Sequence, residues 1–180
     1  IVACGSAMHA GLIGKHLIEE YGNIPVNVEI ASEFRYKKLF IDKDTLVIAI
    51  SQSGETADTL EAVKIANEKG CDTLGIVNVN GSSIARETSK VLYTKAGPEI
   101  AVATTKAYSA QLVAQYLLAI KFAQVRGKVT EAEVGKMLRD LKKLPDQVEM
   151  LLSHKEKIQK FANRFIAAKD IFFIGRGIDY

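Results

Sequence analysis

Short apolar runs and amphipathic stretches take turns along this chain. Ile1–Cys4, Val26–Ile30, Thr45–Ile50, Thr73–Val77 and Val91–Thr94 are runs of four to six residues. Between them lie helical patterns: about Ala7–Tyr21, a short polar one at Ser32–Lys38, Thr56–Lys69, and a brief one at Ser82–Glu87. Gly70 is placed to end the third of these as a left-handed cap. Strand-length runs alternating with helices predict βαβ units, and hence a parallel sheet covered by helices on both faces. The runs are continuously apolar more often than alternating, as strands buried on both sides require.

From Thr105 the pattern changes. Thr105–Arg126 predicts one long helix with an apolar stripe containing Ala107, Ala110 and Ala114. Such a stripe suits close packing, on the sheet as the plain account or against a second copy. Thr130-x-x-Glu133 reads as a capping box for the next helix. Pro145 is expected to restart a helix at Leu144–Leu152, with another running to about Ala168. Ile171–Ile174, followed by Gly175, repeats the strand–glycine junction of Val2–Gly5 and predicts the opening strand of a second α/β unit. The expected organisation is a core at residues 1–128, a helical segment at 129–169, and that strand at 170–180. The fold class is α/β: a three-layer sandwich with a five-stranded parallel sheet flanked by helices, plus a C-terminal helical extension. Because the chain opens on Ile1 inside an apolar run, it is expected to be a piece of a longer protein.

Composition narrows the functional classes. Of 180 residues 48% are hydrophobic, ample for a buried core. A formal charge of +3, with both signs interleaved, lacks the basic stripe and aromatics of a nucleic-acid binder. Lys37-Lys38 and Lys142-Lys143 read as solvated helix faces. Cys4 and Cys71 lie in or beside apolar runs, as small core residues of a reducing, cytoplasmic protein. His9, His16 and His154 do not recur at metal-ligand spacing, so neither metal nor cofactor is expected. No apolar run approaches the roughly 20 residues that span a bilayer.

The chemistry is expected in the loops after the strands, where open parallel sheets bind ligands. Three such loops stand out: Cys4-Gly5-Ser6-Ala7, Ser51-Gln52-Ser53-Gly54-Glu55-Thr56, and the stretch from Gly97 to Lys106. The second places three hydroxyls and a glycine at the mouth of a helix, where free N–H groups and the dipole favour an anion. A phosphate monoester, with nearly two negative charges and three acceptor oxygens, suits it. The plain alternative is that Ser53 or Thr56 caps the helix. The loop matches neither the lysine-bearing P-loop nor G-x-G-x-x-G, which favours a small phosphorylated metabolite over a nucleotide. Ser6 is either a further hydroxyl of the site or a helix start. Val102–Thr105 either contributes to the site or caps the long helix. Glu55 and Glu99 read as solvated or structural groups, and His9 as a surface or packing residue.

With these loops in view, "SQSGETADTL" (Ser51–Leu60), "VEIASEFRY" (Val28–Tyr36), "GSSIARET" (Gly81–Thr88) and "AGPEIAVATTKAY" (Ala96–Tyr108) resemble the isomerase part of the glutamine–fructose-6-phosphate transaminase family. The resemblance covers essentially the whole chain. It implies the first of two sugar isomerase (SIS) domains, flavodoxin-like in fold, in an enzyme making glucosamine 6-phosphate from fructose 6-phosphate and glutamine. It implies sugar-phosphate contacts at Ser51, Gln52, Ser53 and Thr56. Ser6 stands where the family commonly has Thr, and Ala7 where some members have a second Ser. Val102 and Thr104 match the stretch that touches the sugar. The family's acid–base residues lie in the second SIS domain and the C-terminal tail, and its ammonia comes from a glutaminase domain, so no catalytic residue is expected here. A homodimer is expected from the same resemblance. The alternatives are a sugar-phosphate sensor or regulator, and a stand-alone phosphosugar isomerase.

Overall fold

The computed structural model describes residues 1–101 and 103–179. The chain divides into two compact units, residues 1–128 and 129–180.

In the first unit, β1 (Val2–Ala3), β2 (Glu29–Ile30), β3 (Leu46–Ser51), β4 (Asp72–Val77) and β5 (Lys90–Tyr93) form one sheet in the order β2-β1-β3-β4-β5. Every pairing is parallel. Successive side chains of a strand point to opposite faces, and β3 uses both. Val47 and Ala49 enter one apolar cluster with Phe34, Ala62, Val63 and Ile84. Ile48 and Ile50 enter another with Ala3, Ala7 and Ala114. The first cluster is covered by α2 (Ala31–Phe34), α3 (Ala57–Glu68) and α4 (Ser83–Glu87), the second by α1 (Ser6–Gly22) and α5 (Lys106–Val125). The expected three-layer sandwich is the observed one.

The edge strand β2 is shorter than the run Val26–Ile30 that announced it. Its ladder is set by its partner β1, which offers only Val2 opposite Glu29 and Ala3 opposite Ile30. Ile24 and Val26 pack instead against Leu17, Ile18 and Ala119. Gly70 ends α3 as expected: at φ +75° it lets its own N–H reach Asn67 O at 2.9 Å and Cys71 N–H reach Ala66 O at 3.0 Å. That reciprocal pair satisfies the last carbonyls of the helix. Ala107 and Ala114 are buried within the domain, the plain packing account of the small-residue stripe.

In the second unit, α6 (Glu131–Leu152) opens with the expected capping box, Glu133 N–H donating to Thr130 Oγ1 at 3.3 Å and Thr130 N–H to Glu133 Oε2 at 2.7 Å. It is followed by α7 (Lys155–Ala162) and a 3-10 turn at Asn163–Phe165. One expectation is corrected here. Pro145 does not restart a helix but lies inside α6. It denies the Leu141 carbonyl its usual amide partner, yet α6 has no buried residue, so water is available as a substitute. Ile171–Ile174, expected to open a second α/β unit, has no ladder partner among the described residues and is largely exposed, Phe173 by 94%. A strand's hydrogen bonds come from its neighbour, so an apolar run without one has nothing to hold it extended. No helix among the described residues is long and apolar enough to cross a membrane.

Candidate functional site

The chain leaves β1 to one side, building β2, and returns on its other side as β3. The strand order therefore reverses between β1 and β3, and the carboxyl ends beside such a reversal are where open parallel sheets bind ligands. Ser6 opens α1 directly after β1, beyond Gly5 at φ +57°. Ser51 ends β3, and Gln52–Thr56 lead into α3. Two of the three expected loops thus flank the reversal.

The loop Ser51–Thr56 closes on itself. Ser51, buried, accepts the Gly54 N–H at 3.0 Å and shares a hydrogen bond with Thr56 Oγ1 at 2.9 Å. Ser53 Oγ accepts the Glu55 N–H at 3.2 Å. Thr56 holds the N-cap position of α3, yet no side chain caps the first turn. The plain capping account is therefore not what these hydroxyls do. They shape the loop, and the first-turn amides of α3 are left without a side-chain acceptor.

A buttress stands behind this loop. Ile84 N–H donates to Gly54 O at 2.9 Å, Asn78 N–H to Gln52 O at 3.1 Å, and Ser83 N–H to a Glu55 carboxylate oxygen at 2.8 Å. Hydrogen bonds from the Ser83 hydroxyl and amide hold the Glu55 carboxyl below the ordinary carboxylate range. Glu55 is thus structural, as its sequence context suggested. Gly54 has φ +68°, and a Cβ there would lie 2.0 Å from Ser82 Oγ. Only glycine lets the turn lie this close. Ser82 Oγ is itself buried and has no partner among the described residues.

The third loop behaves differently. Thr105 is the N-cap of α5 but its side chain caps nothing, and Thr104 Oγ1 donates to Glu99 Oε2 at 3.3 Å. Val102 lies outside the described residues. The loop is tied towards β4 by Asn78, whose Oδ1 accepts from Ala96 N–H at 2.8 Å and Thr94 Oγ1 at 3.2 Å, and whose Nδ2 donates to Gly97 O at 2.7 Å. Sequence reasoning missed Asn78 and Ser82. An Asn directly after an apolar run was the available signal, because Asn at strand ends commonly bonds neighbouring backbone. Among the described residues no group of three or more His, Cys, Asp or Glu could hold a metal.

The family model for the SIS domain matches residues 1–121, two thirds of the chain. The chain belongs to the SIS domain family. Over its whole length the chain is 55% identical to a protein of Caldanaerobacter subterraneus subsp. tengcongensis named glutamine–fructose-6-phosphate aminotransferase [isomerizing], spanning 30% of that relative's length. It is equally similar to the protein of the same name from Clostridium tetani, again over 30% of its length. A solved structure, the C-terminal domain of glucosamine-fructose-6-phosphate aminotransferase from Francisella tularensis, superposes on 99% of this chain at a TM-score of 0.94 and 38% identity. The match takes up 51% of that solved chain.

Proposed function

We propose that this SIS domain holds the phosphate of fructose 6-phosphate, within an enzyme that converts fructose 6-phosphate and glutamine to glucosamine 6-phosphate and glutamate. The observation that carries the reading is the Ser51–Thr56 loop. It is preshaped by its own hydrogen bonds, lies beside the reversal of strand order, and leaves the α3 amides uncapped. A dianionic phosphate on those amides is favoured by the helix dipole and by charge-assisted bonds. In this reading Ser51, Gln52, Ser53, Thr56 and Ser6 receive the phosphate end, and Val102 and Thr104 face the sugar. Similarity over the whole of this chain to 30% of the named aminotransferases supports the substrate assignment.

The chemistry of amination lies elsewhere in such an enzyme. A glutaminase domain supplies ammonia, and a second SIS domain supplies the acid–base groups. We place the parent enzyme in the cytoplasm as a homodimer. By itself this chain makes no glucosamine 6-phosphate.

Crystals soaked in fructose 6-phosphate test the reading. The expected result is phosphate density at the Ser51–Thr56 loop, lost in Thr56→Val. An empty loop under saturating sugar phosphate, or glucosamine 6-phosphate made by the chain alone, would overturn it.

A further inference from the structure

Two parts of the proposed site are separate in sequence, the Ser51–Thr56 loop after β3 and the stretch after β5 that opens at Thr94 and carries Thr104. One residue after β4 touches both. The main-chain N–H of Asn78 holds Gln52 O at 3.1 Å, while its side chain makes three bonds to the other part, with Thr94 Oγ1, Ala96 N–H and Gly97 O. Each part is held at its root: Gln52 is the first residue past β3, and Thr94 the first past β5. The amide matches its surroundings in sense as well as position. Its oxygen meets two donors and its nitrogen meets a carbonyl, so neither aspartate nor leucine could replace all three bonds.

We infer that Asn78 is a positioning residue. It transmits the placement of the phosphate loop to the loop carrying Thr104, so that a ligand gripped at the phosphate end meets a sugar side already in register. This rests on reading the site as one for a sugar phosphate. It adds a residue that needs no contact with the ligand and acts through the two loops it joins. A coupling of this kind is commonly worth about 5- to 150-fold in affinity.

Amide NMR of the chain, titrated first with inorganic phosphate and then with fructose 6-phosphate, separates the possibilities. In the unaltered protein, phosphate is expected to shift Ser53 and Gly54, and through Asn78 also Ala96 and Gly97. In Asn78→Ala the Gly54 response should persist while those of Ala96 and Gly97 vanish. Fructose 6-phosphate affinity should drop about tenfold, with inorganic phosphate affinity held within about twofold. In Asn78→Asp the oxygen still accepts from Ala96, so only the Gly97 response should be lost. That variant carries the test if Asn78→Ala does not fold. Responses at Ala96 and Gly97 that are absent from the unaltered protein, or unchanged in both variants, would overturn the role of Asn78 and leave the phosphate reading standing. If phosphate shifts neither Ser53 nor Gly54 in the unaltered protein, the phosphate reading falls and this inference falls with it.

Discussion

Gly54→Ala isolates the geometry on which the candidate site depends. The substitution meets two separate obstacles. Gly54 has φ +68°, a left-handed conformation that costs an L-residue about 1–2 kcal/mol. The new Cβ would also lie 2.0 Å from Ser82 Oγ and 2.5 Å from Ser82 Cβ, well inside contact distance. Overpacking of that kind typically costs about 1–3 kcal/mol. Together the expected loss is about 2–5 kcal/mol if the loop keeps its place. Ser82 offers a way to divide the two contributions. Its hydroxyl is buried and unpartnered among the described residues, and as the N-cap of α4 it makes no side-chain capping bond. Ser82→Gly alone should therefore change stability by only a few tenths of a kcal/mol, about the cost of glycine at an N-cap. In the Gly54→Ala, Ser82→Gly double variant the steric share should return, about 1–3 kcal/mol, leaving the backbone share behind. Urea unfolding of the four proteins in a cycle is the assay. A Gly54→Ala loss under about 0.5 kcal/mol, the level of an ordinary surface change, would refute the reasoning. So would a double variant no more stable than Gly54→Ala.

Two further outcomes follow from groups at opposite ends of the satisfaction scale. Gln115 of α5 is fully buried against Gly14 of α1 with neither amide atom partnered among the described residues, so Gln115→Met should stabilise the domain by about 1–3 kcal/mol in thermal unfolding; a loss would show that the amide is engaged. Glu55 has its pKa lowered in the folded state, so its contribution is present above the ordinary value of 4.5 and is lost as pH falls through the lowered one. Urea midpoints measured from neutral to acid pH should therefore fall less steeply in Glu55→Gln, and parallel curves would remove the carboxylate from its place at Ser83.

Much of the first unit could be read from periodicity because burial and strand length agree there. β3 is apolar on both sides, and it is sandwiched between two clusters that each need one of its faces. Thr130-x-x-Glu133 and Gly70 announced helix ends because their signals are local: a side chain and an amide a few residues apart. What escaped was non-local. The length of β2 depends on β1, 26 residues or more away in the chain, and no window around Val26 contains that information. The bonds of Asn78 reach 16 to 19 residues forward along the chain and 26 back. Ser82 sits under Gly54 only because the β3 and β4 loops are neighbours in space. Pro145 illustrates the reverse case. Its local signal is to break a helix, and an exposed helix absorbed the defect.

The hydroxyl pair at the end of β3 has a consequence in hydrogen inventory. Ser51 and Thr56 share one bond in which either oxygen can donate. If Ser51 gives its hydrogen, Thr56 keeps one spare; if Thr56 gives, the spare belongs to Ser51. The pair therefore keeps a single free hydrogen in both cases. Ser53, whose oxygen is occupied by Glu55 N–H, keeps its own. With the uncapped first-turn amides of α3 added to these two free hydroxyl hydrogens, the nook suits a guest rich in acceptor oxygens. Phosphate past its second ionisation, near pH 6, meets that condition.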